Sequence, residues 1–434
     1  MRLPSFRRLA GGGLLLVSLL SLSLLAQPAS AQTPGWTALS GPTFPASEHA
    51  IVWQLAADPE QPSDILAATS RGVYSSTDGG VVWSPTSITA WTWTVAFASG
   101  GATAYAGTET AGVYRSTDQG ATWTRDDLGL SNQDVRAIAV APNAIVLGTN
   151  SGVYLGGSGV GWEPAGLQGT PVSSVAVTVD SPLGVLAGSD STVASSNLFV
   201  NLAVGKATSW QAVSGGDPQG SPVFAIGAGP LAAGAAHPPI LVGTLKGLFR
   251  SSDGGGTWQQ VNLAQGALWS VNTIAFDPEN PAVVYVGGDN GGSTGGGLQR
   301  SLNAGVSWQV WQSGLPAGDV TGLAVEPTKP VTVLAALWHG STREPATAKL
   351  VDTTAPGPVP LQAVSATSPI PISPPPTAAP SLRPNPGPGH RGRAGLSIPA
   401  WAPPLIAAFL VILLVGIFMG LRRRRIRLDA EAPP

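Results

Sequence analysis

The sequence predicts an all-β fold built from a short repeated unit, and three observations carry this prediction. First, the pattern Ser-x-Asp-x-Gly-x-x-Trp, here named the Asp motif, occurs at 76–83, 116–123 and 251–258, with a softened copy at 301–308. Second, each copy follows a short apolar run such as Gly-Val-Tyr at 72–74. Third, the chain contains 56 Gly and 14 Trp but only 11% charged residues, a composition that suits many short strands and tight turns.

The Asp motif is typical of a β-hairpin. Its Asp or Asn side chain can accept hydrogen bonds from N–H groups of the same turn, and its Gly supplies a positive φ. The Trp then opens the next strand and lays a large apolar face over the hairpin. We therefore expect these residues to govern stability. The predicted structural residues are Asp78, Trp83, Asp118, Trp123, Asp253, Trp258, Asn303 and Trp308.

Repeats of roughly 40–50 residues fill the stretch 35–352, a period that occurs in β-propellers. Seven opening strands begin near Val52, Thr92, Val135, Val172, Val223, Val271 and Val320. Six of them are followed by a matching Trp, at Trp83, Trp123, Trp162, Trp210, Trp258 and Trp308. The seventh Trp, Trp36, precedes the first repeat. We therefore predict one seven-bladed β-propeller in which the N-terminal strand completes the blade of residues 320–352, because closure removes exposed sheet edges.

Missing copies of the Asp motif, and acidic residues that precede Pro, are both interpreted as structural features. Residues 155–161 lack the motif Asp and residues 191–209 lack the whole motif, which predicts the loss of a turn but not of a blade. Acidic residues that precede Pro, at Asp58, Asp277 and Glu326, are predicted to bond the backbone of their own turns.

The two ends of the chain predict a membrane-anchored protein. Residues 1–31 combine three arginines, an apolar run and an Ala-Ser-Ala exit, which is typical of a cleaved secretory signal. Residues 353–400 form a Pro-rich linker that cannot build a core. Residues 401–421 are uncharged and long enough to span a bilayer, and the arginine-rich tail 422–434 is then cytoplasmic by the positive-inside rule. We expect a single-pass protein whose propeller, 32–352, is extracytoplasmic.

Composition excludes several function classes. The absence of Cys excludes disulfides, zinc ribbons and thiol catalysis. Residues 32–352 contain 22 Asp and Glu against 11 Lys and Arg, a net charge of −11, which argues against nucleic-acid binding. The four His residues are scattered, so we predict no metal and no cofactor. The loop 287–294 offers oxygen ligands but lacks the acid that completes a calcium loop, and ion binding there is left open. A monomer is expected.

Aromatic residues predict a binding rim at the mouth of the central channel. Trp53, Trp93 and Phe224 share one offset in the first strands of their repeats, and Arg136 and Asn272 share it as well. First strands line the channel of a propeller, so we predict a rim that binds a protein or a glycan, on the face opposite the Asp motifs. The alternative is that these side chains plug the axis. The predicted rim consists of Trp53, Trp91, Trp93, Arg136, Phe224, Trp269, Trp338 and His339.

The repeats resemble the YVTN/BNR-like, or Asp-box, propellers, which include photosystem II assembly and stability factors and sortilin-type ectodomains. The resemblance rests on the Asp motifs and on the Gly-Val-Tyr-Arg-Ser strands, and it covers residues 35–352. It implies a non-catalytic docking surface. The expected function is therefore a membrane-anchored binding or assembly platform without catalytic residues, whose partner at the cell envelope is an unknown protein or glycan.

A carbohydrate-active enzyme is the alternative function. Sialidases share the motif but need three arginines and a Tyr nucleophile, whereas Arg115, Arg250 and Arg300 occupy one structural position of the repeat. Xyloglucanase-like hydrolases use paired propellers and paired carboxylates. The carboxylates that precede first strands and could approach the channel are Glu48, Asp134 and Asp319.

Overall fold

Seven four-stranded antiparallel sheets make up the described part of the chain. The computed structural model describes residues 35–362 apart from the gaps 45–49, 143, 157–160, 179–183, 193–195, 203–208, 214–217, 219, 265–269, 290–296 and 340–343. Each sheet is one blade of a β-propeller. This confirms the predicted all-β, seven-bladed architecture.

The first three blades follow the chain without interruption. Blade 1 contains β2 (Val52–Ala57), β3 (Ile65–Thr69), β4 (Gly72–Ser76) and β5 (Ser84–Pro85). Blade 2 contains β6 (Thr92–Phe97), β7 (Ala104–Thr108), β8 (Val113–Ser116) and β9 (Thr124–Arg125). Blade 3 contains β10 (Val135–Ala141), β11 (Ala144–Thr149), β12 (Gly152–Gly156) and β13 (Trp162–Gly166).

Blades 4 to 6 repeat this order, and blade 7 borrows its outer strand from the N-terminal end. Blade 4 contains β14 (Ser174–Thr178), β15 (Gly184–Gly188), β16 (Leu198–Asn201) and β17 (Gln211–Ala212). Blade 5 contains β18 (Val223–Ala228), β19 (Ile240–Thr244), β20 (Gly247–Ser251) and β21 (Gln259–Val261). Blade 6 contains β22 (Ser270–Asp277), β23 (Asn280–Asp289), β24 (Gly297–Ser301) and β25 (Gln309–Val310). Blade 7 contains β26 (Asp319–Glu326), β27 (Val331–His339), β28 (Glu344–Asp352) and β1 (Thr37–Leu39).

Strand β1 closes the ring as predicted. It pairs antiparallel with β28, with Thr37 opposite Lys349 and Leu39 opposite Thr347. The preceding Trp36 is 6% exposed, and its Nε1 donates to the Trp311 carbonyl oxygen of blade 6 at 2.9 Å. The N-terminal strand therefore joins blade 7 to blade 6 through the indole as well as completing the sheet.

The Asp motif forms the predicted turn. Asp253 Oδ1 accepts a hydrogen bond from the Ser251 hydroxyl at 2.7 Å and another from the Thr257 N–H at 2.9 Å. Trp258 Nε1 donates to the Gly255 carbonyl at 3.0 Å. The other three copies make the same kinds of bond around Asp78, Asp118 and Asn303.

Blades without the motif remain complete, as expected, and their tryptophans bond differently. Trp162 Nε1 in blade 3 donates to the Asp126 carbonyl of blade 2 at 2.5 Å. Trp210 Nε1 in blade 4 donates to the Ala165 carbonyl of blade 3 at 2.6 Å. Where no turn offers a carbonyl to the indole, the indole bonds the preceding blade instead.

The acids that precede Pro behave as predicted in two cases of three. Asp58 Oδ1 accepts from the Glu60 N–H at 2.8 Å, and Asp277 Oδ1 accepts from the Glu279 N–H at 2.8 Å. The prediction is wrong for Glu326. Its longer side chain reaches the Lys349 Nζ of the same blade, 3.6 Å from Oε1.

The two faces of the ring carry different features. First strands start on one face, named here the mouth face, and end on the other, named the motif face. On the motif face the Asp-motif turns bond the turns between first and second strands, as Gly79 N does with Ser63 O and Ala304 N with Ala282 O. The motif turns thus lie opposite the channel mouth.

Residues 353–362 continue from blade 7 across the motif face. The Val359 N–H bonds the Glu279 carbonyl of blade 6, and the Asn280 side chain donates to the Gly357 carbonyl at 2.7 Å. Farther on, Leu361 forms a β-bridge with Ala232 of blade 5. The first ten residues of the Pro-rich stretch therefore pack on the propeller. The remainder of the predicted linker, the signal segment 1–31, the span 401–421 and the tail 422–434 lie outside the described residues, among which no helix is long and apolar enough to cross a membrane.

We expect Asp253→Ala to lower the free energy of unfolding by about 1 kcal/mol, because the Thr257 N–H loses its acceptor at a solvent-exposed turn. Asp253→Asn should cost less, since Asn303 makes the equivalent bonds in the fourth copy.

Burial opposes ionisation of Asp253, but hydrogen bonds from Thr257 and Ser251 prevail and lower its pKa to about 2. Its charge therefore stabilises the fold above about pH 4 and ceases to do so as the pH falls toward 2. Urea unfolding between these pH values should show a smaller pH dependence for Asp253→Asn; an unchanged pH dependence contradicts this account.

We also expect Trp36→Ala to lower the free energy of unfolding by about 3 kcal/mol, through lost burial and the lost bond to blade 6. Thr37→Ala is the matched control, because Thr37 lies next to Trp36 on the same strand and is exposed. Both are measured by thermal and urea unfolding of the full chain. Equal stability of the two variants would show that the Trp36 indole does not contribute to ring closure.

Candidate functional site

Six of the seven first strands carry a β-bulge at the same place. In blade 1, Val52 pairs with Thr69 and Gln54 pairs with Ala68, so Trp53 is skipped by the ladder. A bulge bends its strand and turns the extra side chain to a new direction. The residues skipped in the same way in the other five blades are Trp93, Arg136, Phe224, Asn272 and Thr321. In blade 4 the equivalent residue is Ser173, directly before β14.

These seven residues surround a cavity of about 180 Å³ on the propeller axis. The wall is completed by residues one or two positions farther along the same strands, such as Gln54 and Ile274. All seven blades therefore contribute to one site. Sequence comparison of the repeats identified five of the ring positions and missed Ser173 and Thr321. They follow Val172 and Val320 at the same offset, but their small side chains gave no aromatic or charged signal.

Large side chains occupy one arc of the ring. Trp53 stacks with Trp91 at 5.7 Å between ring centroids, and Trp93 lies 5.2 Å from each of them. Trp53 and Trp93 are half-buried, whereas Trp91, which precedes β6, is 36% exposed. The arc therefore presents one indole to solvent above two that line the cavity.

A guanidinium and two carboxylates continue this arc into blades 3 and 4. Arg136 lies over the Trp93 ring, with Cζ 6.0 Å from the centroid. Its Nε is 3.1 Å from Asp134 Oδ2, and its NH1 is 3.4 Å from Asp190 Oδ2. Trp93 Nε1 donates to the other oxygen of Asp134 at 3.1 Å. Blades 2, 3 and 4 are thus joined at the mouth by one polar network.

Negative charge exceeds positive charge at this edge of the mouth. The Glu109 N–H bonds the Trp91 carbonyl at 2.9 Å, which pairs the backbones of these two residues on the mouth face and adds a third carboxylate there. Burial, followed by the charge of Asp134, raises the pKa of Glu109, while Arg136 lowers it. Burial likewise raises the pKa of Asp134 against the opposing effect of Arg136. One guanidinium thus faces three carboxylates.

Smaller polar residues line the cavity from blades 4, 6 and 7, with Phe224 of blade 5 among them, and two hydroxyls connect neighbouring blades. Thr321 Oγ1 donates to the Val52 carbonyl of blade 1 at 2.6 Å, and Ser173 Oγ donates to the Val223 carbonyl of blade 5 at 2.9 Å. Within blade 6, the Ser270 hydroxyl donates to Asn272 Oδ1 at 3.0 Å. The side chains that blades 4, 6 and 7 direct to the cavity are therefore smaller than the tryptophans of blades 1 and 2.

Of the predicted rim residues, four line the cavity, namely Trp53, Trp93, Arg136 and Phe224. Trp91 packs against two of them from outside. Trp338 and His339 end β27 on the mouth face, where Trp338 is in register with Asp319, and neither lines the cavity. Trp269 lies outside the described residues. Whether the rim binds a partner stays a prediction.

The candidate catalytic groups have structural partners or are not described. Asp134 is bonded to Arg136 and Trp93, as above, and Glu48 lies outside the described residues. The arginines considered for carboxylate binding lie elsewhere. Arg250 Nε donates to the Ala304 carbonyl at 2.7 Å, and Arg300 bonds Asp352 while stacking 3.6 Å over the Trp311 ring. Among the described residues, no group of three or more His, Asp or Glu could hold a metal ion.

Comparisons with known proteins support the fold. No protein-family model and no curated protein sequence matches the chain. Solved structures do match. A GH74 enzyme from Niastella koreensis aligns with a TM-score of 0.55 and 18% identity over 76% of this chain, which corresponds to 55% of that enzyme. YCF48 from Cyanidioschyzon merolae aligns with a TM-score of 0.51 and 17% identity over 73% of this chain and 98% of its own length.

A further structure, of YCF48 bound to a D1 peptide, aligns with a TM-score of 0.50 and 17% identity over 73% of this chain and 96% of that one. The chain thus spans about half of the GH74 enzyme and nearly all of YCF48. At these identities the likeness concerns the fold. The chain is a β-propeller whose structural neighbours include both YCF48 and a GH74 enzyme.

Proposed function

We propose that this chain is a membrane-anchored, extracytoplasmic and non-catalytic binding platform that takes its partner at the channel mouth. The ring of seven bulge residues around a cavity of about 180 Å³ carries the proposal. A bulge in six blades directs side chains of different size and charge to the axis. Concave sites with aromatic walls and a few polar groups are typical of ligand binding.

The bonding of Asp134 favours binding over hydrolysis. A glycoside hydrolase needs two carboxylates roughly 5–10 Å apart, one of which donates or accepts a proton freely. Asp134 has one oxygen bonded to the Trp93 indole and the other paired with Arg136. This arrangement supports a positioning role for the carboxylate. Hydrolysis of a carbohydrate remains the alternative, which the fold of the GH74 enzyme keeps open.

The path of the chain supports a defined orientation. Residues 353–362 leave blade 7 and cross the motif face, so the linker starts there. If residues 401–421 span the membrane, the tether leaves the propeller from the motif face, and the mouth lies on the opposite face. The 38 residues from 363 to 400 could extend by roughly 120 Å at about 3.1 Å per residue. The mouth would then be accessible to large partners. The D1 peptide in the YCF48 complex shows that another propeller of this fold binds a polypeptide.

Protease treatment tests the orientation. We expect protease added to intact cells or spheroplasts to remove the propeller and leave a short fragment that contains 401–434. An epitope added after Pro434 reports the fragment, and a cytoplasmic protein serves as the control for lysis. A propeller that resists digestion until the cells are opened would reverse the topology.

Filling the cavity tests the function. Asn272→Trp places an indole among the smaller residues of the cavity, and the fold should accept it because Trp occupies the equivalent position in blades 1 and 2. We expect this variant to melt like the wild type but to lose partners that the full-length protein captures from the native envelope. Val82→Ser is the matched control, since Val82 is exposed on the motif face. Capture unaffected by Asn272→Trp would place binding elsewhere, and turnover of chromogenic glycosides by the wild type would establish the enzymatic alternative.

A further inference from the structure

Among the described residues, Arg136 is the cation that lines the cavity, and its surroundings indicate what the rim can bind. The Arg136 guanidinium lies over the Trp93 indole and is paired with Asp134 and Asp190. An indole face attracts a cation through its quadrupole, and a neighbouring carboxylate adds a charge-assisted bond. Arg136 itself supplies this cation from within the chain.

The outer edge of the same arc repeats the arrangement without a cation. Trp91 is 36% exposed, and Glu109, which is also exposed, is paired with it through the bond from the Glu109 N–H to the Trp91 carbonyl. In the part of the chain that the structure describes, the Glu109 carboxylate has neither a salt bridge nor a side-chain hydrogen bond. An exposed indole and an exposed carboxylate thus belong to two residues whose backbones are paired at the edge of the mouth.

Charge at the mouth favours the same ligand. Glu109, Asp134 and Asp190 carry three negative charges, of which Arg136 compensates one. The whole propeller region 32–352 also has a net charge of −11, from 22 acidic and 11 basic residues. A cationic partner would be attracted over a distance of about a Debye length, roughly 8–10 Å in physiological salt.

We propose that Trp91 and Glu109 together bind an arginine or lysine side chain of a basic partner segment. The bound cation would then lie between an indole and a carboxylate, as Arg136 does with Trp93 and Asp134. The inference rests on the proposed function, because it names the chemistry of the partner at the mouth. The cation lies over the outer face of Trp91 and pairs with Glu109. The adjacent cavity accommodates an uncharged neighbouring side chain of the same segment.

The test uses the full-length protein and two labelled peptides of equal length, one with arginines spaced by Gly and Ser, the other with citrulline in place of each arginine. Citrulline keeps the shape of arginine and removes its charge. We expect the arginine peptide to bind more tightly by fluorescence anisotropy, and its affinity to fall with added salt. Trp91→Ala and Glu109→Gln should each weaken its binding by about threefold.

Glu60→Gln is the matched control, since it removes the same charge from an exposed turn on the motif face and should leave affinity unchanged. Equal binding of the two peptides, or equal effects of Glu109→Gln and Glu60→Gln, would overturn the cation site. A partner that Asn272→Trp excludes but Glu109→Gln does not, such as a neutral glycan, would overturn it while the platform function stands. If Asn272→Trp and Glu109→Gln both leave capture unchanged, both proposals fail.

Discussion

The contact between one blade and the next near the axis is the constraint on which the rest of this structure depends. A residue with no exposed surface lies at the start of each first strand, and this residue is Val in six blades and Thr in blade 2. In five of the seven blades, this residue packs against a glycine in the second strand of the preceding blade. A Cβ added to Gly188 would lie 2.4 Å from Val223, and one added to Gly107 would lie 2.7 Å from Val135. Glycine in these strands permits a backbone approach that any side chain would block.

This packing explains where the candidate site arises. Once the valine is buried between blades, the next residue would point the other way in a regular strand, and the bulge turns it to the axis instead. The position is therefore free of the packing that fixes its neighbours, and it carries Trp, Arg, Ser, Phe, Asn and Thr in different blades. Stability resides in the valine contacts and in the Asp motifs of the opposite face, which leaves the mouth free to vary in chemistry.

The sequence was sufficient to predict the features that are local or repeated. The turn around Asp253 involves residues at most four apart, and ring closure followed from comparing seven opening strands with six matching tryptophans. The offset of Trp53, Trp93 and Phe224 identified the ring. Contacts between blades could not be predicted in this way. Arg136 reaches Asp190, 54 residues away in a blade that lacks the motif, and no repeated residue indicates the pair. Composition likewise gave no sign that residues 353–362 pack on the propeller.

The polar network at the mouth compensates for what blades 3 and 4 lack on the other face. Neither blade has an Asp motif, and their tryptophans, Trp162 and Trp210, bond the preceding blade in place of their own turn. At the mouth, Arg136 joins these same blades through Asp134 and Asp190. Salt bridges this exposed contribute little singly, about 1 kcal/mol or less, but they hold the guanidinium against Trp93 and keep Asp134 from accepting other bonds. The polar groups at the mouth end of blades 3 and 4 are therefore occupied by contacts within the fold. Trp91 packs against Trp53 and Trp93 but is partly exposed, and the Glu109 carboxylate takes no part in this network, so both are available to a partner.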